Sequence, residues 1–303
     1  MSDEITTEVP SGLTGSRTRQ KRLMCRLALA SAALLTATAV NAQTIKLSAA
    51  DLSRLDQKIE LDYNVLGLGF SVLSAKFDIT LNRRKYKATS VIKTEGIAGL
   101  IMRSRWDSVS EGRITRAGLR PTRFRTDVST SRGRGAVNVK FEKNSYLISA
   151  VPKIQSDRRA GLNAKLTPNL PDPLSALVTT AIFNSKNPCT GKARVFDGRR
   201  IFDLAFQFDK QVTITGNRTY SGPAYACLVK HTPVAGQPAA ELKAEQQSPS
   251  PFHRVWLAPV KLGAKGLKAL IPVRIDLQTG WTTTTIALTR SSIGGRPITV
   301  AAR

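Results

Sequence analysis

The 303-residue sequence carries 46 Lys and Arg against 21 Asp and Glu, a formal net charge of +25, with two His and three Cys. A chain this basic attracts polyanions, and it is long enough to bury a sizeable core in one large domain or two small ones. Past residue 42 no apolar run approaches the roughly 20 residues of a membrane-spanning helix, which argues against an integral helical membrane protein.

The first segment reads as a secretory signal. Arg17, Arg19, Lys21, Arg22 and Arg26 form a basic region, residues 27–40 are apolar or small, and Val40-Asn41-Ala42 supplies small residues for cleavage. Cys25 precedes the apolar run with Arg22 three residues before it, so it does not form a lipobox. The expected organisation is a signal peptide over 1–42, a single β-rich periplasmic domain over 43–290, and a flexible tail over 291–303. Export argues against nucleic acid as the partner of the positive charge. Anionic lipid, lipopolysaccharide or an envelope protein is expected instead.

From Gln57 the texture becomes strand-like. Apolar and polar residues alternate through residue 82, broken at Gly67 and Gly69, which predicts a β-hairpin. A third strand is expected from Tyr86 and a fourth across Gly96 to Ser108. A turn is expected at Gly118-Leu119-Arg120-Pro121. Residues 136–141 and 146–151 read as another hairpin, and residues 153–171 as a loop. One helix stands out over 172–184. Asp172 suits its N-cap and Pro173 its first turn, and Leu174, Leu177, Val178, Ala181 and Ile182 recur at helical spacing. A second β run follows. It opens with a hairpin across Asp197-Gly198, read as a type I′ turn, and continues in short strands. Residues 232–252 carry Pro, Gly, Ala and Gln and read as a loop.

Two cysteines lie past the signal, Cys189 and Cys227. In an oxidising compartment such a pair reads as a disulfide. The competing reading is a metal site, because His231 follows Cys227 by four residues and His253 comes later. Four residues along a strand span about 13 Å, however, which is too far for one ion. No nucleophile elbow, phosphate loop or dinucleotide loop is present; Gly67-Leu68-Gly69 lacks the third glycine. No catalytic residue, metal or cofactor is therefore assigned, and the chain is expected not to be an enzyme. Arg83, Arg84, Lys85, Lys87, Arg132, Arg134, Arg158 and Arg159 cluster at expected turns and loops. Together they would make an anion-binding rim.

These features together resemble a known bacterial family. They are Tyr63 with Gly67 and Gly69, Gly118 to Pro121, Asp172-Pro173-Leu174-Ser175-Ala176, Cys189, Phe196-Asp197-Gly198-Arg199-Arg200, Gly222-Pro223 before Cys227, Pro233 to Gly236, and Pro272 to Ile275. In this order they resemble the exported domain-of-unknown-function family numbered 3108, in its alphaproteobacterial form. The resemblance implies an envelope protein of unassigned activity. It also implies a fold similar to periplasmic lipoprotein carriers: a mainly β, curved antiparallel sheet or partly open barrel wrapped around one helix. The expected function is binding of an amphiphilic or anionic envelope component. The alternative is a structural protein that supports the envelope through protein contacts.

Overall fold

A computed structural model describes residues 47–298, apart from 68, 184–186, 216–219, 263–266 and 280–281. The expected signal peptide and the last five residues lie outside the described residues. In chain order the elements are α1 (Ala49–Arg54), β1 (Asp56–Gly67), β2 (Phe70–Asn82), β3 (Lys85–Thr94), α2 (Gly96–Ile101), β4 (Ser104–Thr115), β5 (Gly118–Thr130), β6 (Gly133–Phe141) and β7 (Tyr146–Val151). Next come α3 (Ser156–Asn163), α4 (Pro173–Phe183), β8 (Gly191–Phe196), β9 (Ile201–Ile214), β10 (Gly222–Ala235) and α5 (Ala239–Gln247). The last are β11 (His253–Leu262), β12 (Leu267–Thr279), β13 (Thr282–Ile293) and β14 (Arg296–Pro297).

The strands form one antiparallel sheet in the order β7-β6-β5-β4-β3-β2-β1-β13-β12-β11-β10-β9-β8, with β14 beside β13. Strands adjacent in sequence pair with each other, except β7 and β8, which are the two edges, and β13 returns to pair with β1. The mainly β class and the curved, unclosed antiparallel sheet agree with the sequence reading. Residues of alternating burial explain the curl. Ile59, Leu61, Tyr63 and Val65 of β1 all face inward. The outward positions hold ion pairs two residues apart on one strand, such as Arg105–Asp107, Arg125–Asp127 and Arg274–Asp276. So charged an outer face is not the apolar belt of a membrane-spanning barrel.

The two edge strands do not hydrogen-bond to each other. Side chains fill the seam between them. Tyr146 of β7 stacks edge-on against both Phe141 and Phe196, with ring centroids 5.5 and 5.4 Å apart. Val137, Val139, Leu162, Leu170 and Ile201 complete this cluster. The β8–β9 loop seals it. A Cβ on Gly198 (φ +89°) would overlap Val137 Cγ1 and sit 2.8 Å from Val139 Cγ2, so only glycine allows the loop this close to β6.

Several local expectations are corrected. The expected single helix has four companions among the described residues. The segment from Gly96 begins as α2 before β4 starts at Ser104. Residues 153–171 hold α3, where Leu162 alone is buried, and 232–252 hold α5. Gly118 to Pro121 is not a turn but the start of β5; the chain reverses one step earlier, at Arg116-Ala117. The Asp197-Gly198 hairpin exists with a four-residue loop, and only Gly198 of that pair has positive φ. Instead of a type I′ turn, Asp197 Oδ1 accepts from the backbone N–H groups of Arg199 and Arg200. The strand expected to fray at Ser291 continues, with Ile293 pairing with Ile59.

Candidate functional site

The β-turns sort into two ends of the curled sheet. At the base are the β2–β3 and β4–β5 turns. α1 lies across them, its first turn fixed by a capping box between Ser48 and Asp51. Leu47 N–H donates to Arg116 O and Arg83 N–H to Leu55 O, and Leu47 and Leu55 are buried. Leu81, Tyr86, Leu119, Val178, Ile182 and Leu288 fill the base with a packed core. The other end, called the mouth here, carries the β1–β2 hairpin, α2, the β5–β6 turn and the start of β11.

α4 runs inside the curl, and a buried polar cluster fixes its start. Asp172, fully buried, accepts from the N–H groups of Leu174 and Ser175 through Oδ1 and from Ser110 Oγ through Oδ2. Since the Ser110 hydrogen is committed to Asp172, Tyr86 Oη must be the donor in its 2.9 Å bond to Ser110 Oγ. Burial pushes the Asp172 carboxyl above the usual carboxylate range and the Tyr86 phenol above its own. The expected N-cap is therefore correct, and its partners come from β3 and β4.

No residue of α4 carries a charge. A helix apolar on every side must find cover on every side. Leu174, Val178 and Ile182 enter the base core, while Leu177, Thr180 and Ala181 face empty space. That space is a cavity of about 890 Å³ between α4 and the inner faces of β2–β6 and β8–β12. Its origin lies in the register. Phe77 pairs with Ser90, Ser90 with Ser108, Ser108 with Thr126, and Thr126 with Val137. Five neighbouring strands thus present one level of side chains, and three of the five are small hydroxyl residues. Ser108 Oγ donates to Thr126 Oγ1 at 2.9 Å, so these two hydroxyls are partnered within the wall. Opposite stand Phe202, Leu204, Phe206, Val255, Leu257 and Ile275.

The polar groups reaching the cavity are few. His231 and His253, the chain's only two histidines, both line it. Burial holds both below the usual imidazole pKa. The His231 ring lies against Phe202, 4.9 Å between centroids, and His253 Nδ1 accepts from Gln278 N–H. Arg199 lines the wall beside the seam and donates to Pro152 O; Arg254, next to His253, is exposed and pairs with Asp209. Sequence reasoning weighed both histidines as partners of Cys227 in a metal site and set them aside. Only the pairing of Val229 with His253, which sets His231 and His253 on adjoining strands, reveals their shared destination.

Cys189 and Cys227 form a disulfide with α-carbons 5.2 Å apart, inside the range such a bond requires. It ties the segment after α4 to β10 and packs with Val255, Leu257 and Leu270 along the cavity wall. Cys227 is thereby unavailable as a metal ligand. The expected basic rim does not assemble. Arg83, Arg84, Lys85 and Lys87 sit at the base, where Lys87 pairs with Glu111. Arg132 and Arg134 sit about 30 Å away at the mouth, one strand length of ten residues. Arg158 and Arg159 are on α3, and Arg158 Nε is buried without a hydrogen-bond partner among the described groups.

A family model for proteins of unknown function, DUF3108, matches residues 58–289. The chain belongs to the DUF3108 family. The DUF3108 match begins in β1 and ends in β13, so it contains α4, both cavity walls and the disulfide. No curated protein matches the chain. Among solved structures, it is similar to a beta-barrel-like protein of the domain of unknown function DUF1849 from Brucella abortus. That pair shares 13% identity over 79% of this chain and 98% of the other, with a TM-score of 0.45.

Proposed function

We propose that this DUF3108 chain is an exported, non-catalytic envelope protein that holds an amphiphile by its apolar part. The cavity carries the reading. Its volume of about 890 Å³ falls within the range of ligand pockets, and its walls are mostly aliphatic and aromatic with a few polar groups to one side. Each methylene of a ligand buried there would contribute about 0.8 kcal/mol. A polar or anionic head group would meet Arg199 and the two histidines. The arginine- and alanine-rich lead of the sequence supports export. Mass spectrometry of organic extracts from the gently purified protein tests the proposal. A stoichiometric acyl-chain compound supports it. An extract free of amphiphile, together with no uptake of a fluorescent fatty acid, refutes it.

One observation favours the second reading, protein contacts in the envelope. β7 is an edge strand that pairs with β6 on one side only, and its Leu147 and Val151 are exposed. An edge of this kind can add a strand from a partner. Crosslinking from β7 to a single envelope protein, with an empty cavity, would favour it.

A further inference from the structure

The mouth carries a second unusual surface. Phe70 follows the β1–β2 hairpin, Leu100 lies on α2 and Met102 directly after it; they are 69%, 82% and 47% exposed. The segments are tied together. Glu95 N–H donates to Val72 O, Ser74 Oγ donates to Glu95, and Met102 N–H donates to Ala98 O. Basic residues adjoin them. Arg103 follows Met102, and its carbonyl accepts from Ser131 N–H, which sets the β5–β6 turn with Arg132 beside it; Arg134 comes two residues later. All three arginines are exposed, and among the described residues no carboxylate pairs with them. Most other acidic side chains on these strands already have a partner, as Asp107 has Arg105 and Asp127 has Arg125.

The base provides an internal contrast. Arg83, Arg84 and Arg116 are exposed there too, but α1 covers the apolar side chains beneath them. Among the described residues, the mouth sets three large exposed apolar side chains beside three guanidinium groups that have no carboxylate partner. Apolar side chains beside cations are the chemistry of binding at an anionic bilayer surface, where the first enter the acyl boundary and the second meet phosphates. Val128 and Gly135 of the cavity wall lie within three residues of the β5–β6 turn, so a bilayer at the mouth would adjoin the cavity.

We infer that the mouth, through Phe70, Leu100, Met102, Arg103, Arg132 and Arg134, docks onto an anionic phospholipid surface. Its biological sense, loading or unloading the cavity at a membrane, rests on the reading of the chain as an amphiphile-binding protein. The docking itself rests on the surface alone. An environment-sensitive fluorophore on Leu100→Cys, with Arg84→Cys as the base control and Cys25→Ser in both, tests it in the full chain. The vesicles are phosphatidylcholine with or without phosphatidylglycerol. The Leu100 label should shift to the blue only with phosphatidylglycerol, and the Arg84 label should not shift. Adding Arg103→Glu, Arg132→Glu and Arg134→Glu should weaken the response about 100-fold, at roughly fivefold or more per arginine. An unshifted Leu100 label, an equal shift at Arg84, or an equal shift on neutral vesicles overturns the inference. Fatty-acid uptake in vesicle-free solution separates the two readings. Uptake with an unshifted label removes only the docking, and a shifted label without uptake removes only the cavity ligand.

Discussion

Replacing Cys189 with Ser opens the one covalent link between the segment after α4 and β10. The two residues are 38 apart in sequence. On the chain-entropy model a loop of that length, once closed, removes about 13 cal/mol/K from the unfolded chain, or about 4 kcal/mol at 25 °C. For a domain of this size that corresponds to a fall in Tm of about 8–16 °C. Both sulfurs are buried against Val255, Leu257 and Leu270, so Ser also sets a hydroxyl in an apolar wall. Thermal and urea unfolding under non-reducing conditions measure the loss. Cys227→Ser should lose the same amount, and the double variant no more than either, because all three remove one link. Wild type in reductant should fall towards the variants. Free thiols at both Cys189 and Cys227 in the unfolded, unreduced protein would refute the reasoning, as would single and double losses that add.

Asp172→Ala should destabilise the protein by about 2–3 kcal/mol in urea unfolding, since it removes the cap of α4 and leaves buried N–H groups unpaired. Asp172→Asn keeps the Oδ1 acceptor and should lose much less. Because burial raises the Asp172 pKa in the folded chain, the folded state takes up a proton before the unfolded chain does. Stability should therefore fall as pH rises from the unfolded value to the folded one, and Asp172→Asn should flatten that slope in a pH series of unfolding curves. Asp197, raised by burial as well, adds a slope of the same sign that the variant leaves in place. Gly198→Ala should destabilise by about 2–4 kcal/mol through its positive φ and its overlap with Val137, and hydrogen exchange should speed up first in β6 and β8.

What the sequence made legible was set by local chemistry. Asp172-Pro173 announces a helix start because capping needs only neighbouring residues, and strand alternation in β1 and β2 needs only the period of two. The disulfide followed from cysteine number and compartment. The helices α3 and α5 were missed for a physical reason. Leu162 is the only buried residue of α3, and α5 packs too few apolar residues to show a helical stripe. The close approach of Gly198 to β6 was invisible because Gly after Asp already suits a turn. The cavity was hidden more deeply. Ser90, Ser108 and Thr126 are unremarkable strand residues until register stacks them at one level across β3, β4 and β5. The basic clusters misled in the opposite direction: adjacency in the sequence suggested one rim, and strand length separated them.

The central claim is that the cavity holds an apolar chain, and blocking it tests this most directly. Ser108→Phe and Ala181→Phe project rings into the space from a strand and from α4 without touching the base core. Affinity for a fluorescent fatty acid should be measured for each beside wild type, with circular dichroism and unfolding curves confirming the fold. The account predicts micromolar or tighter binding in wild type, on the order of −8 kcal/mol or better, and at least about tenfold weaker binding in both variants with little change in stability. Equal affinity in wild type and both folded variants would place the ligand elsewhere and contradict the claim.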